Sequence, residues 1–250
     1  MLVIKYIFLG LIQGLTEFLP VSSSAHLVIF QELLDIQDNQ LILDIVLHLG
    51  TLLAIIVFLY RDIKSFLNKK IIFLVLLATF STALVAILGK GFFESLFLSA
   101  KYVSLPLAIT GIVLIFTKRH ALDGRKLTHL KPADAVCFGL VQGICVIPGL
   151  SRSGLTISTL LLRNVERETA FKFSFLASIL AVLGALFLEL GCFSNLALCE
   201  LKYMSFAFFT SFLSGLLALK ILLLAIRKAK LHFFGYYCLI LALALSFLIL

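Results

Sequence analysis

Apolar residues occur in long runs along the chain, separated by short stretches of polar and charged residues. Six runs have about the 17–25 residues that a helix needs to cross a bilayer. They cover residues 42–60, 71–89, 102–117, 171–192, 203–226 and 233–250. Short alternating strands, which would indicate a membrane barrel, are not visible in the sequence. Because a chain in lipid must satisfy its backbone hydrogen bonds internally, this pattern predicts an all-α membrane protein with six full transmembrane helices.

Two further apolar regions, residues 1–30 and 133–162, are interrupted by polar motifs. The first contains LPVSSSA and the second contains IPGLSRSG, so each has a proline followed by serines. Irregular backbone at membrane depth is tolerated only where it is buried in protein or lines a wet cavity. We therefore predict that both regions are re-entrant helix hairpins, each entering and leaving the membrane on one side.

The two interrupted regions also match each other. GLIQG at residues 10–14 corresponds to GLVQG at residues 139–143, and the same offset aligns Ser22 with Ser151. Three predicted spans separate the two regions, so the copies would have opposite orientations in the membrane. The sequence thus predicts one polytopic domain over 1–250, built as an inverted-topology repeat of about 1–120 and 133–250. The broken helices of such repeats meet at binding sites near the middle of the bilayer.

Composition and charge agree with a lipid environment. Hydrophobic residues make up 62% of the chain and charged residues 14%, compared with about 45–50% and about 25% in soluble proteins. The net charge of +8 gives no reason to expect nucleic acid, because most Lys and Arg lie in short loops between apolar runs. These basic stretches are 61–70, 118–131, 163–172 and 227–230. The positive-inside rule predicts that they lie in the cytoplasm, with both termini and the opening of the site on the outer side of the plasma membrane.

Ionisable and hydroxyl groups of the first interrupted region point to a functional site, since such groups are costly in a membrane. Gln13 and Glu17 are four residues apart and share one helix face. Pro20 then breaks the helix, and His26 falls on the first turn of the next one. Three serines are placed to cap that next helix, namely Ser22, Ser23 and Ser24.

The second interrupted region repeats this scheme with a cation. After the break at Pro148 and Gly149 come Ser151, Arg152 and Ser153, with Thr156 on the following helix. Two helix N-termini rich in hydroxyls, together with one Arg, would form an anion site suited to phosphate. A carboxylate would repel a phosphate ligand, so Glu17 favours catalysis over simple binding, as a base or as a metal ligand.

Each of these residues also has a structural interpretation. The serines could be helix caps only, His26 could be a packing residue, and Glu17 could form a structural ion pair with Arg152. In HLGTLLA, His48 and Thr51 could either line the cavity or form contacts between helices.

The motifs resemble those of a known enzyme family. QGLTEFLPVSSSAHL and PGLSRSG resemble the signature motifs of bacterial undecaprenyl-pyrophosphate phosphatases of the bacitracin-resistance type, and LHLGTLLA looks like a third shared stretch. The likeness extends over the chain in length, number of spans and placement of motifs. The family has Glu or Gln at the first motif position, and this chain has Gln13, so Glu17 is its one certain carboxylate. A mild departure occurs at Ser24 and Ala25, where some members have Thr-Gly.

The resemblance implies hydrolysis of undecaprenyl pyrophosphate to the monophosphate and inorganic phosphate. This reaction recycles the lipid carrier of peptidoglycan and other cell-wall polymers and confers resistance to bacitracin. By motif match, the resemblance implies functional roles for Glu17, Ser23, His26, Ser151, Arg152 and Thr156. We expect the catalytic residues to be Glu17, Ser23, His26 and Arg152. The residues expected to bind the substrate phosphates are Gln13, Ser22, Ser24, Ser151, Ser153 and Thr156.

For the chemical step we favour attack by Ser23 on the terminal phosphorus, with His26 carrying the proton. Glu17 would orient His26 or hold a divalent cation such as Mg²⁺ or Ca²⁺. Attack by His26 or by water stays open, and so does a different function, that of a lipid-phosphate flippase or transporter using the same site. The expected partners are a polyprenyl pyrophosphate and membrane lipids, and the sequence leaves open whether the chain forms a homodimer.

Overall fold

A computed structural model describes residues 2–36, 40–66, 68–89, 91–93, 103–117, 124–189 and 198–248. The helices bounded within these residues are α1 (Leu2–Phe18), α2 (Ser23–Leu33), α3 (Gln40–Phe66), α4 (Lys69–Leu88), α5 (Ser104–Phe116), α6 (Pro132–Ile144), α7 (Arg152–Leu162), α8 (Arg167–Glu189), α9 (Leu198–Arg227) and α10 (Leu231–Leu248), with a short 3-10 helix at Leu127–His129. Of the basic stretches used to predict topology, residues 67 and 118–123 lie outside the described part of the chain.

Four of the described helices, α3, α4, α8 and α9, are long and apolar enough to cross a membrane. They confirm the all-helical, multi-pass membrane protein and coincide with the predicted spans 42–60, 71–89, 171–192 and 203–226, although residues 190–192 lie outside the described residues. The other two predicted spans correspond to α5 and α10, which are apolar but shorter. Residues 102, 249 and 250 of those spans are not among the described residues.

In both interrupted regions the first helix ends shortly before a proline. α1 ends at Phe18, two residues before Pro20, and α6 ends four residues before Pro148, because proline lacks the N–H that a helix interior requires. Pro132 is instead the first residue of α6, a position where the missing N–H costs no hydrogen bond. Each region therefore consists of two short helices, α1 with α2 and α6 with α7.

In each interrupted region, the start of the first helix contacts the end of the second, at the side opposite the break. In the first, the Lys5 ammonium near the start of α1 donates to the carbonyl of Leu34, just after α2. In the second, Arg163 at the end of α7 donates from Nε to Asp134 Oδ1 near the start of α6 at 2.7 Å. Arg125 donates to the other oxygen of Asp134 at 2.6 Å. Each region is thus a closed hairpin whose break lies at the opposite end from its two termini.

Each hairpin packs against a long helix from the other half of the chain. α1 packs most extensively on α9, and α6 on α4. Glycines permit the close approach, since a Cβ built on Gly14 would lie 2.0 Å from the Ser214 hydroxyl oxygen, and one on Gly139 would lie 2.3 Å from the Ala78 carbonyl oxygen. Small residues serve the same purpose wherever membrane helices approach closely.

A group of buried phenylalanines joins both hairpins to α8. The ring of Phe18, at the end of α1, meets Phe175 edge-on with centroids 5.5 Å apart. Phe138 of α6 meets Phe173 in the same manner at 5.4 Å. Edge-to-face pairs of buried rings stabilise the packing beyond the area that they bury. α8 therefore holds both hairpins in place.

Candidate active site

The two breaks meet at a cavity of about 640 Å³. The breaks supply most of its polar lining, and α3, α4 and α8 supply most of its apolar lining, although Asp44 and His48 of α3 and Thr79 and Thr82 of α4 are polar. Six of the residues predicted from sequence belong to the polar lining: Glu17, Ser22, Ser23, Ser24, Ser151 and Arg152. A cavity with one polar and one apolar end suits an amphiphilic ligand, whose charged group and apolar chain require different surroundings.

Glu17 is buried at the centre of a set of hydrogen-bond donors. The hydroxyl of Ser23 donates to Glu17 Oε2 at 2.6 Å, and Gln13 Nε2 donates to the same oxygen at 3.2 Å. Arg152 donates from Nη2 to Oε1, so the ion pair joins the two hairpins. His48 Nε2 lies 3.8 Å from Oε2. These four neighbours thus each direct a donor, or a nitrogen that can become one, towards the carboxylate.

Both short helices that follow the breaks are capped by serine. Ser22 Oγ accepts from the backbone N–H of Ala25 at 3.5 Å, and Ser151 Oγ accepts from that of Gly154 at 3.2 Å. Ser24 Oγ accepts from the N–H of Gly149 at 3.4 Å, which ties one break to the other. The capping interpretation is therefore correct for Ser22 and Ser151. It does not exclude a role in binding, because N-termini of helices attract anions.

The backbone at the first break is strained. Ser22 has a φ of 68°, a region that residues other than glycine adopt at a cost of about 1–3 kcal/mol. The carbonyl oxygen of Ser22 accepts from His26 Nδ1 at 2.7 Å. Such strain persists where the surroundings fix it, and it clusters at functional sites. The ring of His26 thus helps to hold the turn that presents Ser23 to Glu17.

His26 itself is directed away from the cavity. Because the Ser22 carbonyl can only accept, Nδ1 carries the hydrogen, and Nε2 accepts from the Tyr237 hydroxyl at 2.7 Å. The two rings also stack, with centroids 5.9 Å apart and planes inclined by 10°. His26 is buried and is not among the residues that line the cavity. The structure does not bring His26 to Glu17, and its proposed role as proton carrier stays a prediction.

Three further predicted residues support the site from behind the cavity surface. Gln13 is connected to the cavity lining by its hydrogen bond to Glu17. Ser153 Oγ lies 3.3 Å from Ser151 Oγ, and Thr156 Oγ1 lies 2.7 Å from Ser174 Oγ on α8. None of the three predicted residues lines the cavity, so direct contact between them and a phosphate also stays a prediction.

The structure adds residues that the motifs did not single out. The hydroxyl oxygen of Thr110, on α5, accepts from the Ser151 N–H at 3.0 Å. Tyr237, on α10, is far from His26 in sequence, and no motif signals the pair. Of the two candidates in HLGTLLA, His48 lines the cavity, whereas Thr51 is buried and donates to the His48 carbonyl at 3.0 Å.

The side chains around Glu17 differ from those of a preformed metal centre. Among the described residues, no group of three or more His, Cys, Asp or Glu side chains is arranged to hold a metal ion. Glu17 is the predicted ligand, and both of its oxygens already accept from side chains. Asp44 also lines the cavity, but its carboxylate accepts from Gln31 at 2.7 Å. The donor set around Glu17 therefore fits a preformed metal site poorly.

Comparison with known proteins agrees with the motifs. A sequence profile of the family described as "Bacitracin resistance protein BacA" matches residues 6–244. A protein named "Undecaprenyl-diphosphatase" from Carboxydothermus hydrogenoformans is 42% identical over 92% of this chain and 91% of its own length. Proteins of the same name from Halothermothrix orenii and Methanobrevibacter smithii are 40% and 37% identical, each over 94% of both chains. The chain therefore belongs to the BacA family.

Proposed function

We propose that this protein hydrolyses undecaprenyl pyrophosphate to undecaprenyl phosphate and inorganic phosphate. Its relatives are named for the same activity. The observation that carries the proposal is Glu17, a buried carboxylate surrounded by donors where two capped helix N-termini meet. Phosphoryl transfer requires positioning and compensation of charge more than covalent chemistry from the protein. The product would return to cell-wall synthesis as a lipid carrier, and continued recycling would confer resistance to bacitracin.

The two ends of the cavity match the two ends of this substrate. Arg152 and the free N–H groups at the starts of α2 and α7 supply positive potential for the pyrophosphate. The apolar lining includes Leu180, Ala181 and Leu186 of α8 and offers a dry surface for the first units of the prenyl chain. A pyrophosphate without an apolar chain would use only half of the cavity.

Ser23 and Glu17 are positioned for the chemical step. The Ser23 hydroxyl already donates to Glu17 at 2.6 Å, so the carboxylate can accept its proton as the oxygen attacks the terminal phosphorus. The bond to the bridging oxygen then breaks, and its electron pair stays with the lipid monophosphate, while the phosphoryl group is left on Ser23. Water then attacks this phosphorus, the P–O bond to Ser23 breaks, and orthophosphate leaves as the serine hydroxyl regains a proton. Water in place of Ser23, activated by the same carboxylate, is the competing route.

A divalent cation would reach this site with the substrate. Mg²⁺ commonly binds one or two carboxylates together with substrate phosphates and water, and Glu17 would be its protein ligand here. We expect phosphate release to fall after chelation and to recover when Mg²⁺ or Ca²⁺ is restored, whereas the thermal stability of the protein without substrate should not change.

Phosphate release by the purified protein tests the proposed function. Wild-type protein in detergent should release orthophosphate from undecaprenyl pyrophosphate, and Glu17→Gln should release almost none, because the amide cannot accept the proton. If neither protein releases phosphate while wild-type protein moves a labelled lipid phosphate across vesicle membranes, the protein is a flippase or transporter instead.

We further propose six membrane crossings and two re-entrant hairpins related by an inverted repeat. The closed far ends of both hairpins support re-entry on one side, since Lys5 meets Leu34 and Asp134 meets Arg163. The packing of each hairpin on a helix from the other half of the chain supports the repeat. α1 packs on α9 and α6 packs on α4, and these are corresponding pairs in the two copies.

We also propose that the protein lies in the bacterial plasma membrane, with the site opening to the outer side. Lys126 and Lys202 are both exposed. Lys126 belongs to the basic stretch 118–131, which is predicted to be cytoplasmic, whereas Lys202 lies between the predicted spans 171–192 and 203–226, a position that the same topology puts on the outer side. In a background without the native cysteines, Lys202→Cys should react with an impermeant maleimide in intact cells. Lys126→Cys should react only after permeabilisation, and labelling of it in intact cells would contradict the proposed topology.

A further inference from the structure

The imidazole that lines the cavity belongs to His48 and not to His26. His48 lies on α3, outside both hairpins, and its side chain is 35% exposed, whereas that of Glu17 is 5% exposed. His48 Nε2 lies 3.8 Å from Glu17 Oε2. A ligand in the cavity can therefore reach this ring, while His26 has both nitrogens engaged by Ser22 and Tyr237.

The backbone of α3 fixes the orientation of the ring. His48 Nδ1 lies 2.7 Å from the carbonyl oxygen of Asp44, one turn earlier on the helix. A carbonyl oxygen can only accept, so Nδ1 carries a hydrogen in either charge state of the ring. Nε2 is thus the nitrogen left to interact with the site, and in the imidazolium form it is an N–H donor.

The neighbours of Glu17 indicate what this nitrogen does. The nearest acceptor for the Ser23 proton is Glu17 Oε2, at 2.6 Å, so the attacking hydroxyl does not need His48 as its base. Ser23, Gln13 and Arg152 all direct donors to the carboxylate. A bound pyrophosphate presents similar anionic oxygens to the same donors, and donors released from Glu17 can bind it instead.

We propose that His48 is a substrate-binding residue whose Nε2 forms a hydrogen bond with an oxygen of the bound pyrophosphate. It supplies this contact from α3, a helix that the interrupted motifs do not include, and so encloses the phosphates from a third direction beside α2 and α7. This inference rests on the proposed function, because it assigns part of the binding of that substrate.

Two substitutions separate donation from proton transfer. Glutamine can place an amide N–H near the position of Nε2 but does not titrate, while leucine has a similar size and no donor. His48→Leu should raise KM for undecaprenyl pyrophosphate by about 10- to 100-fold, the usual effect of losing a hydrogen bond to a charged group. His48→Gln should stay within about threefold of wild type in KM, and kcat should change little in either variant.

Inhibition by methylenediphosphonate, a pyrophosphate analogue that is not hydrolysed, gives a second readout. Its inhibition constant should rise in His48→Leu by a factor similar to that of KM and stay nearly constant in His48→Gln. The matched control is His129→Leu, at an exposed histidine of the 3-10 helix, which should leave both constants unchanged. Thermal unfolding in detergent would show whether each variant is folded.

Other results would overturn the inference. A loss of kcat in both His48 variants at unchanged KM would make His48 a proton carrier. Unchanged constants in both would mean that the ring does not touch the substrate. If wild-type protein releases no phosphate, the proposed function fails, but protection of the wild type and not of His48→Leu by methylenediphosphonate against thermal unfolding would still locate an anion at His48.

Discussion

Replacement of Ser23 by alanine is expected to lower the turnover of undecaprenyl pyrophosphate by at least about 1,000-fold, because it removes the attacking group. Ser23 is the first residue of α2 and lines the cavity, and its hydroxyl has its proton acceptor, Glu17 Oε2, at 2.6 Å. The helix should remain intact, because its cap is the neighbouring Ser22. Orthophosphate release by purified protein measures the effect.

The control for this change is Ser205→Ala, at an exposed serine of α9 whose hydroxyl bonds only to its own helix. It should leave turnover unchanged. A near-normal rate for Ser23→Ala would instead exclude the serine as nucleophile and leave water or His26 as the attacking group.

The role of His26 can be tested in the same assay by substituting His26 and its hydrogen-bond partner Tyr237. His26→Ala removes the ring that holds the strained carbonyl of Ser22, so we expect a large loss of turnover even without direct contact with substrate. Tyr237→Phe keeps the stacked ring but removes the hydroxyl that donates to His26. If the two variants lose activity to a similar degree, His26 acts by positioning Ser23 and not as the proton carrier.

Arg152→Lys is expected to lower kcat/KM by about 100- to 1,000-fold, although the charge is kept. Arg152 is the first residue of α7, and its guanidinium reaches Glu17 across the gap between the hairpins. Its planar fork can bind two phosphate oxygens at once, and it offsets the charge that develops during phosphoryl transfer. A lysine ammonium is a point charge on a flexible stem and cannot reproduce that geometry.

Steady-state kinetics with the lipid substrate would measure this loss, and Lys220→Ala, at an exposed residue of α9, should show none. Near-normal kinetics for Arg152→Lys would mean that positive charge alone is sufficient, and the bidentate role would then be wrong.

The sequence predicts the parts of this structure that depend on local chemistry. Runs of apolar residues predict the long helices, because lipid leaves the backbone no other partner. The breaks could be located since Pro20 and Pro148 cannot continue a helix, and the serine caps of α2 and α7 follow from the residues beside them. The ion pair of Glu17 with Arg152 was one of the interpretations that the sequence left open, and the predicted repeat favoured a meeting of the two breaks.

Features set by tertiary packing could not be predicted in this way. The direction of His26 depends on Tyr237, which a distant helix supplies. The positive φ of Ser22 has no sequence signal, because strain of this kind is imposed by the surroundings and not by the residue. Placement of His48 in the cavity was one of two open interpretations, and only the packing of α3 decides between them.

The packing of α1 against α9 has a consequence for how the protein is made. α1 leaves the ribosome long before α9, the helix that covers its glycine face, which begins only at Leu198. Contacts so distant in sequence form late. Until Arg152 has also been inserted, Glu17 lacks its cationic partner in the membrane, which is an unfavourable state for a carboxylate. Nascent chains that stop early therefore carry a half-built site and an exposed polar group, features by which membrane quality control could distinguish them from the finished protein.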